Sequence, residues 1–143
     1  MPESPKIVFT PSDVPMYEMP NGKFRDSFML TDQTCGAKQF SAGLVWFAPQ
    51  NTEGHLDVHT FDEAFYIISG SATFFAGGVS YQVKAGDVVY CPAGMEHTYY
   101  TGEDHLKIFW LIAVNWGELA SIQEEVKTQW HVVDANSGWH AAL

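Results

Sequence analysis

Four side chains able to hold a metal ion, His55, Asp57, His59 and Glu63, fall within nine residues in the stretch Gly54 to Gly70, GHLDVHTFDEAFYIISG. Asp57 and His59 are two apart, so on an extended segment both leave the same face. Glu63 follows four residues later, directly before the apolar run Ala64 to Ile68, where it opens the next strand. A second stretch, GDVVYCPAGMEHTYYT from Gly86 to Thr101, adds His97 just after a Pro and Gly turn. Imidazole and carboxylate groups in this combination suit a divalent transition metal. His55 lies four residues before His59 in a Gly-flanked loop and reads either as a further ligand or as an exposed loop histidine.

Short strands must position these groups. Phe40 to Pro49 alternates apolar residues and β-formers, and Ala64 to Ile68 and Ala72 to Ala76 read as two strands joined through Ser69, Gly70 and Ser71 in a hairpin connection. Gly77 and Gly78 turn the chain into Val79 to Val83; Val88 to Cys91, His97 to Thr101 and His105 to Val114 complete the set. Seven or eight short strands separated by turns describe an all-β antiparallel barrel or sandwich. Met1 to Gly22 holds five prolines and reads as an irregular arm with at most a short strand at Lys6 to Thr10. Beyond Asn115 the period changes: Leu119, Ile122, Val126 and Trp130 fall at helical spacing, predicting one helix over about Gly117 to Gln129, then an irregular tail with His131, Trp139 and His140.

The 143 residues suffice for one domain, 1–143, with the barrel over about 36–114, the arm over 1–35 and the helix and tail over 115–143. Aromatic residues make up 15% and charged residues 17%, which excludes a disordered chain. The net charge of -10, with Arg25 the one arginine, leaves no basic patch for nucleic acid. No apolar run reaches the length of a membrane helix, and MPESPKIVF lacks the order of a signal peptide, so a cytoplasmic location is expected. Cys35 and Cys91 read as reduced thiols, the latter packed at a strand end.

The two ligand-bearing segments resemble the paired motifs of the cupin superfamily. His59, Glu63 and Gly70 keep the family's spacing from its second histidine onward, and Gly86, Pro92, Gly94 and His97 keep that of the second motif, with Thr101 where the family has Asn. The resemblance covers roughly residues 36 to 114 and implies a double-stranded β-helix, or jelly-roll, barrel. It implies one divalent ion per chain (Fe, Mn, Ni or Zn) held by Asp57, His59, Glu63 and His97. The departure is Asp57, which stands where the family has its first histidine. Two carboxylates and two neutral imidazoles cancel the charge of a divalent ion, which favours Mn(II) or Fe(II) over Cu(II). Asp57 reads alternatively as an acceptor for a histidine N–H or as a loop residue, leaving a triad of His59, Glu63 and His97.

Alternation from Glu63 points Phe65 and Ile67 inward; alternation from His97 does so for Tyr99 and Thr101. Tyr99 is a candidate general acid or hydrogen-bond donor beside the metal, and Asp57, if it does not ligate, a candidate proton carrier. Arg25 and Lys38 read as surface cations, His105 as structural. Two functions are consistent with this: a metal-dependent enzyme on a small oxygenated substrate (dioxygenase-like, or a Lewis-acid isomerase, lyase or decarboxylase), or a non-catalytic module holding a sugar or small acid. The arm, Trp46 and Trp110 offer apolar surface for a homodimer, the assembly common among cupins.

Overall fold

Alternation decides most of the strands. In the computed structural model, which describes residues 5–52, 56–113 and 115–134, nine strands carry the described chain. They are β1 (Met16–Glu18), β2 (Phe24–Leu30), β3 (Phe40–Phe47), β4 (Glu63–Ala76), β5 (Val79–Lys84), β6 (Val88–Cys91), β7 (His97–Tyr100), β8 (Leu106–Ala113) and β9 (His131–Val133). A single helical turn, α1 (Asp32–Cys35), follows β2, and α2 (Trp116–Gln129) follows β8. In β8, Leu106, Ile108, Trp110 and Ile112 are buried while Leu111 and Ala113 face outward, the period of two that marks a half-covered strand. His55, Trp139 and His140 lie outside the described residues.

β4 belongs to two sheets. Its first half pairs with β6 and β8, and its second half with β5 and β7, all antiparallel. From β8 the first sheet continues through β3, β2 and β1 to β9. The switch falls at Gly70, whose φ of +86° is in the left-handed region and where an added Cβ would lie 1.8 Å from the carbonyl oxygen of His105. The hairpin expected between Ile68 and Ala72 is therefore a bend within one fourteen-residue strand. Glycine there signals a close backbone approach as readily as a turn.

The N-terminal stretch differs from the expected arm. Lys6 to Thr10 is not a strand; instead Pro11–Asp13 forms a short 3-10 turn, and β1 and β2 both join the sheet. β2 escapes a hydrophobicity pattern because Arg25 and Asp26 follow directly on its first residue, Phe24. Arg25 is not a surface cation: it is buried, with Nε on Glu18 and Nη1 donating to the Asp134 carbonyl at 3.1 Å. β9 pairs with β1, so the segment around His131 is not an irregular tail.

Both faces of β3 are covered. Val45 and Phe47 join the main core, whereas Leu44 and Trp46 pack on the other side with Met16, Met29, Phe9 and Val14. Trp46 and Trp110, expected as contact surface for a partner, are thus buried. Exposed apolar side chains of this sheet include instead Tyr66, Val88, Tyr90 and Leu111, outward on β4, β6 and β8. No described helix is long and apolar enough to cross a membrane.

Candidate metal centre

The loop before β4 is sewn to the start of β7 by the main chain. Asp57 N donates to His97 O and His97 N to Asp57 O, both at 2.9 Å, and Gly94 N donates to His59 O at 2.7 Å. Residues directly opposite in such a pair direct their side chains to one face, so the bridge carries Asp57 to the side of His97. His59, two residues on, reaches the same place. One ligand atom from each of Asp57, His59 and His97 lies within 4.8 Å of the others.

Glu63 stands just outside this trio, at the start of β4, with Oε1 3.3 Å from His97 Nε2. His97 Nδ1 lies 3.1 Å from the Met95 carbonyl. In the neutral ring, the proton on Nδ1 satisfies that carbonyl and turns the Nε2 lone pair toward Glu63. Two lone pairs then face each other unless a cation, a proton or a metal ion, lies with them. Glu63 Oε1 is buried and makes no hydrogen bond of good geometry. Burial alone would lower the His97 pKa, but Glu63, the Met95 carbonyl and Asp57 together outweigh it and hold the imidazole above its ordinary value.

His59 is set from both sides. Its ring stacks on Phe61 at 4.7 Å and 14°, and its Nδ1 lies 3.5 Å from Glu118 Oε1. Glu118 also accepts from the Thr60 amide at 3.0 Å and from the Thr60 hydroxyl. Burial raises the Glu118 pKa, yet Thr60 and then His59 bring it below the usual value. The sequence reading did not single out Glu118. Its signal was the helix start: Asn115 is the N-cap of α2, accepts from Glu118 N at 3.3 Å, and an acidic residue three positions on is a common helix-start pattern.

Above these groups opens a cavity of about 430 Å³, walled by the inner face of the barrel and closed on one side by α2. Leu119, Ile122, Val126 and Trp130, the residues at helical spacing, form that side. Phe65 and Tyr99 face it as expected; Ile67 is buried deeper in the core. Thr101 is inward but engaged elsewhere: its hydroxyl donates to Ala48 O at 2.6 Å and accepts from Asn51 N, fastening the end of β7 to the 48–51 loop. Tyr99 has a buried hydroxyl with no hydrogen-bond partner among the described residues. Burial, with Glu63 and Cys91 nearby, pushes its pKa well above the ordinary phenol value, so it remains a donor.

Asp26, also missed in the sequence, projects into this cavity from β2. Its Oδ1 accepts from Ser27 N at 2.8 Å and from Trp110 Nε1 at 3.1 Å. Gly43 makes the second bond possible, since a Cβ there would stand 2.5 Å from the Trp110 ring. Burial, despite those two donors and with added repulsion from Glu63 and Asp57, pushes Asp26 up to about 7. No local pattern marks Asp26, because only the β2–β3–β8 order brings it to Trp110.

A family model described as the cupin domain matches residues 43–112, the stretch that contains both ligand-bearing segments. The chain belongs to the cupin superfamily. An uncharacterized protein of Streptomyces coelicolor is 36% identical over 71 residues, 50% of this cupin and 67% of that protein. Two solved structures share the fold: the polyketide cyclase RemF from Streptomyces resistomycificus (TM-score 0.64, 20% identity, 77% of this chain and 80% of that one) and a predicted oxalate decarboxylase from Thermotoga maritima (0.62, 22%, 76% and 100%).

The groups present fit a divalent cation. Asp57, His59 and His97 offer one hard oxygen and two imidazole nitrogens, and Glu63 offers a buried acceptor lacking a directional donor. Met95 and Glu118 orient the two rings through their other nitrogens, an arrangement that fixes tautomers in metal-binding imidazoles. In this cupin the aspartate at the family's first histidine position faces the site.

Proposed function

We propose that this cupin is a metal-dependent enzyme acting on a small oxygenated organic molecule. One observation carries the reading: Asp57, His59 and His97 converge within 4.8 Å, with Glu63 against His97, at the wall of a cavity of about 430 Å³. A divalent cation held there supplies Lewis acidity toward a substrate oxygen or, as Fe(II), activation of dioxygen. The chain's own residues do the rest. The Tyr99 hydroxyl donates a hydrogen bond to a substrate oxygen, α2 and the aromatic walls keep water out, and a carboxylate at the wall moves a proton. RemF bears the name of a cyclase, and the Thermotoga protein that of a predicted decarboxylase, which supports chemistry on oxygenated carbon.

Metal analysis of purified wild type and of His59→Ala/His97→Ala tests the reading. Near-stoichiometric divalent metal in the first and loss from the second is expected. Equal content in both sinks it. The accompanying assembly is a homodimer through the exposed apolar side chains of β4, β6 and β8, with a solution mass twice the 16.0 kDa of the chain.

A further inference from the structure

The cavity walls restrict what can occupy the site, and this inference rests on the metal-centre reading above. Four acidic groups line the cavity, Asp26, Asp57, Glu63 and Glu125, and no Lys or Arg does so among the described residues. The one arginine of the chain is committed to Glu18 and the Asp134 carbonyl, on the other side of β2. A divalent cation would offset Asp57 and Glu63 without leaving a surplus of positive charge, and no other cationic side chain lines the cavity among the described residues. An anionic ligand therefore meets no net attraction here, and loses its hydration on entering.

The remaining surface is largely aromatic. Phe47 and Phe65 meet Tyr99 at ring separations of 5.6 and 5.4 Å and interplanar angles of 49° and 82°, and Phe28 meets Trp110 at 5.8 Å and 73°. Tilted rings of this kind expose both faces and edges, which suits a flat ring seated among them. Tyr99 and Asp26 are two of the polar residues in this wall. The Tyr99 hydroxyl, on a residue only 4% exposed, has no partner, and Asp26 engages its donors through Oδ1 alone. Buried polar groups are satisfied in folded proteins, so the Tyr99 hydroxyl calls for a ligand atom opposite it.

We infer that the cavity takes an uncharged, flat-ringed molecule bearing hydroxyl or carbonyl oxygens, and discriminates against carboxylates and phosphates. The size agrees, since about 430 Å³ lies in the range of small-molecule pockets.

The test compares 2-naphthol with 2-naphthoate, one ring system with and without a full negative charge, by calorimetric titration at pH 7 into protein as purified and after loading with Mn(II). At least tenfold tighter binding of 2-naphthol is expected. Equal or tighter binding of 2-naphthoate, or no saturable binding of 2-naphthol, overturns the inference. Leu119→Trp, or the more exposed Ile122→Trp if the first does not fold, fills the cavity from α2 and should weaken 2-naphthol binding at least tenfold at unchanged metal content. An unaltered affinity in the folded variant places the probe outside the cavity and overturns the inference as well. Metal content separates the two readings. A preference for 2-naphthol in protein that takes up no metal would sink the metal centre and leave the substrate class standing; metal-loaded protein that prefers 2-naphthoate does the reverse.

Discussion

Asp57 and His97 are joined twice through the main chain, each amide donating to the other's carbonyl at 2.9 Å. The bond uses no side-chain atom, so it survives substitution at Asp57 while the carboxylate is lost. Asp57→Ala is therefore expected to fold normally and to bind Mn(II) about tenfold or more weakly, by analogy with the loss of groups that support a metal site. Calorimetric titration of metal into the metal-free protein measures it. An unchanged affinity assigns Asp57 a purely structural part.

Glu118 connects α2 to the loop before β4 through Thr60 and His59. Glu118→Gln keeps the length and can still accept from the Thr60 amide, whereas Glu118→Ala keeps neither. Metal affinity should fall about tenfold in the alanine variant and less in the glutamine variant. Identical affinities in all three proteins would mean that His59 holds its orientation without the helix.

Asp26 should titrate within the accessible range. Folding raises it from 3.8 to about 7, so the folded state holds this proton more tightly than the unfolded chain. The associated stability is complete below pH 3.8 and is lost as the pH rises through about 7. The Trp110 indole N–H, bonded to Asp26, reports it: its NMR signal should move with a midpoint near 7 in the metal-free protein and stay still in Asp26→Asn. Zinc should lower that midpoint, because a cation offsets the repulsion from Glu63 and Asp57. A wild-type signal that does not titrate rules out this account of the Asp26 carboxyl.

Gly70 carries the bend that passes β4 from one sheet to the other. Gly70→Ala adds a Cβ into the His105 carbonyl and strains a left-handed backbone. A loss of about 3 kcal/mol or more is expected in denaturant unfolding. Gly36, also left-handed but with nothing within 4 Å of an added Cβ, serves as the control and should cost about 1 kcal/mol. Equal losses would remove the close approach as the reason for glycine at position 70.

The candidate ligands were legible because their spacing is local. A two-residue step on an extended chain, and a Pro and Gly turn before His97, set which way Asp57, His59 and His97 point once Asp57 is bridged to His97. The strands themselves showed wherever one face is apolar, as in β8. Glycine at 70 misled, since the same residue permits a hairpin and a bend, and only the neighbouring His105 carbonyl distinguishes them.

What the sequence determined by itself was the all-β barrel, carried by short-range periodicity, and, through the resemblance of its two motifs to the cupins, the family and the candidate ligands. The tertiary structure decided the rest of the site. Asp26 comes from β2 and Trp110 from β8, 84 residues apart, and they meet because β3 lies between with a glycine at the crossing. Glu118 reaches Thr60 across 58 residues because α2 folds back over the cavity mouth. Charge balance and wall shape depend on such long-range meetings, and no spacing along the chain encodes them.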